Sequence, residues 1–128
     1  MTRGLRNNNP GNIKDDGTAW EGLDTPRNDG VFLRFISPEY GIRAMGKILM
    51  NYVSIDGVAP TVNGLVRRWS ATDQDAYVNK VSGDLGVDPD ASLDLSSVLP
   101  ALIASMIGME DAMNPYSADV ITAGLNLA

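Results

Sequence analysis

Ser37-Pro38-Glu39-Tyr40-Gly41-Ile42-Arg43-Ala44-Met45-Gly46-Lys47-Ile48-Leu49-Met50-Asn51-Tyr52-Val53 decides the fold class. It opens with the signals that start a helix: a Ser cap, Pro at the first helical position, and an acid facing the positive end of the helix dipole. Ile42, Met45, Ile48, Leu49, Tyr52 and Val53 then form one apolar stripe at helical spacing, which ends near Gly57. Before it, Val31–Ile36 is β-branched and aromatic and predicts a short strand. Ala19-Trp20 is the expected partner across the Asp29-Gly30 turn signal. Residues 1–30 are otherwise rich in Asn, Gly, Asp and Pro and read as turns. After the stripe, a second helix follows Pro60-Thr61, with Val62, Leu65, Val66 and Trp69 inward. A third is capped by Thr72, carries Ala76, Tyr77, Val78 and Val81 inward, and stops at Gly86. A fourth runs from about Ser97 to Met113, with Pro100 in its first turn. A last, short helix is capped by Ser117 and ends at or near Ala128. The expectation is a mainly α single domain over residues 1–128, with five helices and a small β element.

The chain has 128 residues, enough for one core and too few for two. Its longest apolar run, Leu99 to Met109, is about half a membrane span and is broken by Ser105 and Gly108, so no membrane partner is expected. Met1-Thr2-Arg3-Gly4 leads into Asn7-Asn8-Asn9 with no apolar segment, which predicts no signal peptide and synthesis in a cytosol. There is neither cysteine nor histidine. That removes thiolate nucleophiles, Cys/His zinc sites, His general bases and Ser-His-Asp triads together, and leaves carboxylate chemistry, a rarer Ser-Lys or Tyr arrangement, or no catalysis. The net charge of −6 argues against a nucleic-acid partner. Arg67 and Arg68 read as a solvated helix face. Asp88, Asp90 and Asp94 resemble the start of a calcium loop. Leu93 stands where such a loop needs Gly and Leu99 where it needs Glu, so no metal site and no cofactor are expected.

Among the three glutamates, Glu110 is the candidate acid. Leu99, Leu102, Ile103, Met106 and Ile107 form an apolar face of the fourth helix, and Glu110 and Met113 are the next positions along it. Partial desolvation and the negative end of the helix dipole both favour a protonated carboxyl, the form that a general acid for glycosidic cleavage requires. A glutamate snorkelling from a frayed helix end would give the same pattern. Glu39 has a simpler role as a dipole partner, and Glu21 sits in a turn beside Trp20. Asn7, Asn8, Asn9 and Asn12, around Pro10-Gly11, could bond sugars through their amides or fix a tight loop through backbone groups.

These residues also carry a resemblance. Arg3-Gly4-Leu5-Arg6-Asn7-Asn8-Asn9-Pro10-Gly11-Asn12-Ile13, Trp20-Glu21-Gly22, Phe35 with Ser37–Ala44, Trp69, Tyr77 and Glu110 with Asn114–Ser117 resemble small phage and prophage virion proteins that open with an RNNNPGNI signature. The resemblance covers nearly the whole chain, and such proteins are commonly described as structural virion components. A second, shorter resemblance concerns activity. Glu110-Asp111-Ala112-Met113-Asn114-Pro115-Tyr116 is similar to the lytic transglycosylase motif in which the catalytic glutamate precedes Ser and a stretch ending in Asn-Pro. Thr122–Leu125 is similar to the small-residue segment that follows it. Asp111 stands where Ser is usual, and the glutamate lies late in the chain, so a lysozyme-like fold would be a permuted one.

The resemblance implies an enzyme that cuts the glycan backbone of bacterial peptidoglycan. Glu110 would be the catalytic acid, and Asn7, Asn8, Asn9, Asn12, Asn114 and Tyr116 would bind the sugars. Such a protein would reside in a phage virion or the host cytoplasm, act at the cell wall, and contact other virion proteins. The alternative it leaves open is a catalytically silent virion, tail or wall-binding module.

Overall fold

The computed structural model describes residues 1–127. Its elements run α1 (Arg3–Arg6), β1 (Leu23–Asn28), β2 (Leu33–Phe35), α2 (Pro38–Ser54), α3 (Val62–Trp69), α4 (Gln74–Leu85), α5 (Leu95–Asp111) and α6 (Ala118–Leu125). The architecture is mainly helical with one two-stranded antiparallel sheet. No helix among the described residues is long and apolar enough to cross a membrane.

Helix α2 is central, packing on α5 and α6 with one face and on β2 with another. Its Ile42, Met45 and Leu49 are fully buried among Val62, Leu65 and Val66 of α3, Val81 of α4, and Leu102, Ile103, Met106 and Ile107 of α5. The helix ends follow local chemistry. Thr61 and Ser117 accept hydrogen bonds from the amides of Gly64 (2.9 Å) and Val120 (3.2 Å), and Gly86 ends α4 in the left-handed conformation. Ser37 stands at the start of α2 without a side-chain cap bond.

Several local expectations are corrected. The strand pairs with β1, not with Ala19-Trp20, because Asp29-Gly30 turns the chain directly back from Asn28. The third helix is preceded by Asp73 in a left-handed conformation, and its Ala76 faces solvent. α5 begins at Leu95, which puts Pro100 in the second turn. Pro100 is exposed there, so the carbonyl it leaves unbonded has access to water. α5 also stops at Asp111: Ala112 is left-handed (φ 62°) and turns Met113 out, 56% exposed, off the apolar face. Ala128, the expected end of the last helix, lies outside the described residues; α6 ends at Leu125.

The largest difference is in residues 1–30. They contain α1, and residues 7–15 run along the edge of β2. Asn7 and Ile13 accept from the amides of Phe35 (2.8 Å) and Leu33 (2.9 Å), and Lys14 bridges to Phe32. Leu33 and Phe35 are buried here with Ala44 of α2, and Ile13, Trp20, Leu23 and Tyr40 pack around them.

Asp29 joins α1 to the hairpin. It accepts from Arg3 Nε (2.5 Å) and Nη2 (2.9 Å), from the Asn7 amide (2.8 Å), and from the backbone of Val31 and Phe32. The Arg3 guanidinium first, and then these other donors, hold its carboxyl far below the usual carboxylate range. A depressed acid stabilises the fold above its unfolded value, near 3.9, and that contribution is lost as pH falls. Asp29→Asn is therefore expected to lower the urea midpoint at pH 7, and its gap to the parent should narrow between pH 5 and pH 2. A gap independent of pH would mean that the charge on Asp29 is not what holds the joint.

Candidate functional site

Where the end of α5 meets the Asn-rich segment, an open cleft of about 510 Å³ forms. One wall is Gly11–Lys14 with Phe32; the other is the end of α3 with the following turn, from Trp69 to Thr72. Ile48 and Tyr52 of α2 lie between them, and Glu110 completes the lining. Tyr52 and Trp69 meet edge to face with ring centroids 6.4 Å apart, and the Arg68 guanidinium lies 5.2 Å over the Tyr52 ring. A concave aromatic surface with a few placed polar groups is the general form of a small-molecule or sugar site.

Glu110 is half-buried and is the one carboxylate among the described lining residues. Asn12 donates its amide to Glu110 Oε1 at 3.1 Å and to the Glu110 carbonyl oxygen at 3.4 Å. Asn12 itself is left-handed (φ 52°), a conformation that Asn tolerates better than most residues. Its side chain lies over Gly4, where a Cβ would come within 2.6 Å of Asn12 Oδ1 and equally close to Asp111 Oδ1. Behind Glu110 stands Tyr77 of α4, 2% exposed, with a buried hydroxyl that lies near the Glu110 side chain but outside hydrogen-bond geometry. Burial first, and then the neighbouring Glu110 and Asp111 carboxylates, keep this phenol protonated far beyond its ordinary range. Removing a buried orphan hydroxyl relieves a desolvation cost of about 1–3 kcal/mol. Tyr77→Phe is thus expected to leave the melting temperature unchanged or raise it. A clear loss of stability would show that the phenol has a bonding partner.

The sequence-derived site residues separate into two groups. Glu110 and Asn12 meet in the cleft. Asn7, Asn8 and Asn9 instead use their amides inside the protein. Asn7 donates to Asp29, Asn8 to the Phe35 carbonyl (3.1 Å), and fully buried Asn9 to the carbonyls of Ile13 (2.9 Å) and Leu33 (3.0 Å). Asn9 Oδ1 also accepts from the Ile13 amide (3.0 Å), closing the loop on itself. Asn114 is exposed and accepts from the Tyr116 amide (3.0 Å), and Tyr116 packs against the helical core; neither lines the cleft. Glu39 sits in the first turn of α2, and Glu21 lies 3.6 Å from the guanidinium of Arg43. Asp88 and Asp90 form a turn that accepts from Asn63.

Sequence reasoning missed three participants. Trp69 and Tyr52 read as core residues, yet both reach the cleft. Asp111 was passed over although it lies four residues after Ile107, on the same buried row. It is 2% exposed, and desolvation raises its carboxyl to about 6 against the lowering effect of a hydrogen bond from Thr2 (2.9 Å).

The chain matches no family profile. It is 39% identical to protein P5 of Pseudoalteromonas phage PM2 over 128 residues, which cover 95% of this chain and 79% of that protein. The chain therefore belongs to the family of phage protein P5 of PM2.

Proposed function

We propose that this protein is a phage peptidoglycan-degrading enzyme of lysozyme-like type, cleaving the bond between N-acetylmuramic acid and N-acetylglucosamine with Glu110 as general acid. The observation that carries this reading is the single cleft carboxylate, held by Asn12 against an aromatic wall. Glu110 protonates the leaving glycosidic oxygen, and Tyr52 and Trp69 offer apolar surface to the sugar rings. A hydrolase needs a second carboxyl, roughly 5 Å away if retaining and about 6.5–9.5 Å if inverting. No second carboxylate is among the described lining residues, which favours the transglycosylase route. There the sugar's own 6-hydroxyl attacks as Glu110, now a base, takes its proton, and a 1,6-anhydro ring closes. The kinship to a phage protein fits a virion or lysis role at the host wall, with other virion proteins as further partners.

One observation favours a second reading. The Asn12–Glu110 bond also works as a strut between the two ends of the fold, and the other three loop asparagines spend their amides on Asp29, Phe35 and Leu33 inside the protein. In that reading the domain is a structural virion component or a wall-binding module. Digestion of purified peptidoglycan followed by product mass separates the cases. Products with anhydro ends support the transglycosylase, reducing ends a hydrolase, and no product the silent module.

A further inference from the structure

Asp111 is a titratable group that the proposed chemistry does not use, and its surroundings are unusual. Its Oδ1 accepts from the Thr2 hydroxyl at 2.9 Å, while its Oδ2 is buried with no partner. No cation among the described residues lies within ion-pair distance of it. The groups facing it are acids and phenols: Glu110 on its own helix, Tyr77 of α4, and Tyr116 from the segment before α6, with Glu39 of α2 beyond Tyr116. From the N-terminal arm it meets the Thr2 hydroxyl and the backbone at Gly4; Arg3 is turned away onto Asp29, and Met1 is 90% exposed. A buried carboxyl with one donor and no counter-charge is stable when neutral and costly when ionised.

We infer that Asp111 is a proton-controlled clasp for the N-terminal arm, residues 2–12, closed while its carboxyl is neutral and loosened when it ionises. The arm carries Gly11 and Asn12, so opening the clasp frees one wall of the cleft and releases the bond on Glu110. The inference concerns the arm's attachment and holds for an enzyme or a module alike. The sign follows from the raised carboxyl, about 6 when closed against about 3.9 when open. Closure is fully favoured below the open-state value, weakens roughly tenfold per pH unit between the two, and levels off above the higher one. Asp29, which holds Arg3 of the arm, is depressed when closed and adds slope of the opposite sign only near the acid end of this window.

The test is amide hydrogen exchange of the full chain from pH 4 to pH 8, corrected for intrinsic rates, comparing the arm with Ile42–Leu49 of α2. Protection of residues 5–12 is expected to fall up to about a hundredfold between pH 4 and pH 6 and then level off, while the α2 amides hold steady. Asp111→Asn should keep the arm protected throughout. Arm protection that tracks α2 at every pH, or the same fall in the variant, overturns the clasp. Should Asp111→Asn fail to fold, Thr2→Val serves instead: losing the donor that favours the carboxylate moves the end of the fall to higher pH, and an unmoved end point overturns the inference.

Discussion

Glu110→Gln is expected to abolish the release of soluble fragments from purified peptidoglycan, a loss of roughly 10²- to 10⁴-fold. The amide keeps the shape of the side chain and can still meet the Asn12 side chain, but it has no proton to give the leaving oxygen. The melting temperature should stay within about 2 °C of the parent, since the group is only half-buried and keeps a hydrogen-bonding partner. That combination separates a chemical role from a structural one. If the parent degrades peptidoglycan and the stable variant does so equally well, Glu110 is not the acid. If Glu110→Gln unfolds the arm instead, the Asn12 bond is a strut first.

Gly41→Ala is expected to have the largest effect on stability. A Cβ at residue 41 would overlap the Asn8 carbonyl oxygen and come within 3.0 Å of Pro10 Cδ and 3.1 Å of the Asn8 carbonyl carbon. Those atoms belong to the backbone of the Asn-rich loop, held by Asn9 and by the edge of β2, so moving them breaks hydrogen bonds that moving a flexible side chain would not. The loop must lift from α2 or α2 must shift in its core. Either costs about 3 kcal/mol, which for a domain of this size lowers the melting temperature by roughly 10 °C. A calorimetric scan decides it. A shift under 2 °C would mean that the loop and helix slide apart freely.

The helical half of the fold was legible because its signals are local. α2 announces itself through Pro38, Glu39 and the spacing of Ile42, Met45 and Leu49, and α6 through the Ser117 cap. The N-terminal thirty residues were not legible, because what orders them is distant. Asn9 looks like any turn residue until Leu33 and Ile13 are placed around it, and Asp29 like any turn acid until Arg3 arrives. In the site, Glu110 could be found from the row that precedes it. Its neighbour Asp111 stands at helical spacing from Ile107, but what surrounds it, Thr2 and Gly4, comes from far away in the sequence. Met113 leaves the apolar face because Ala112 is left-handed, and nothing about an alanine signals that. Trp69 was assigned inward correctly, but spacing cannot distinguish a side chain that fills a core from one that floors a cleft at the core's edge.

The bonds that tie the N-terminal arm to the end of α5 span 98 and 109 positions of sequence, from Asn12 to Glu110 and from Thr2 to Asp111. Contacts of such separation close a very long loop, and closing a loop gains nothing until both ends exist. On a ribosome, the stretch up to Ser54 can begin to order while α5 is still unmade, but the wall that presents Glu110 cannot be assembled until residue 111 has emerged. The cleft therefore forms only after α5 is made and its end meets the N-terminal arm.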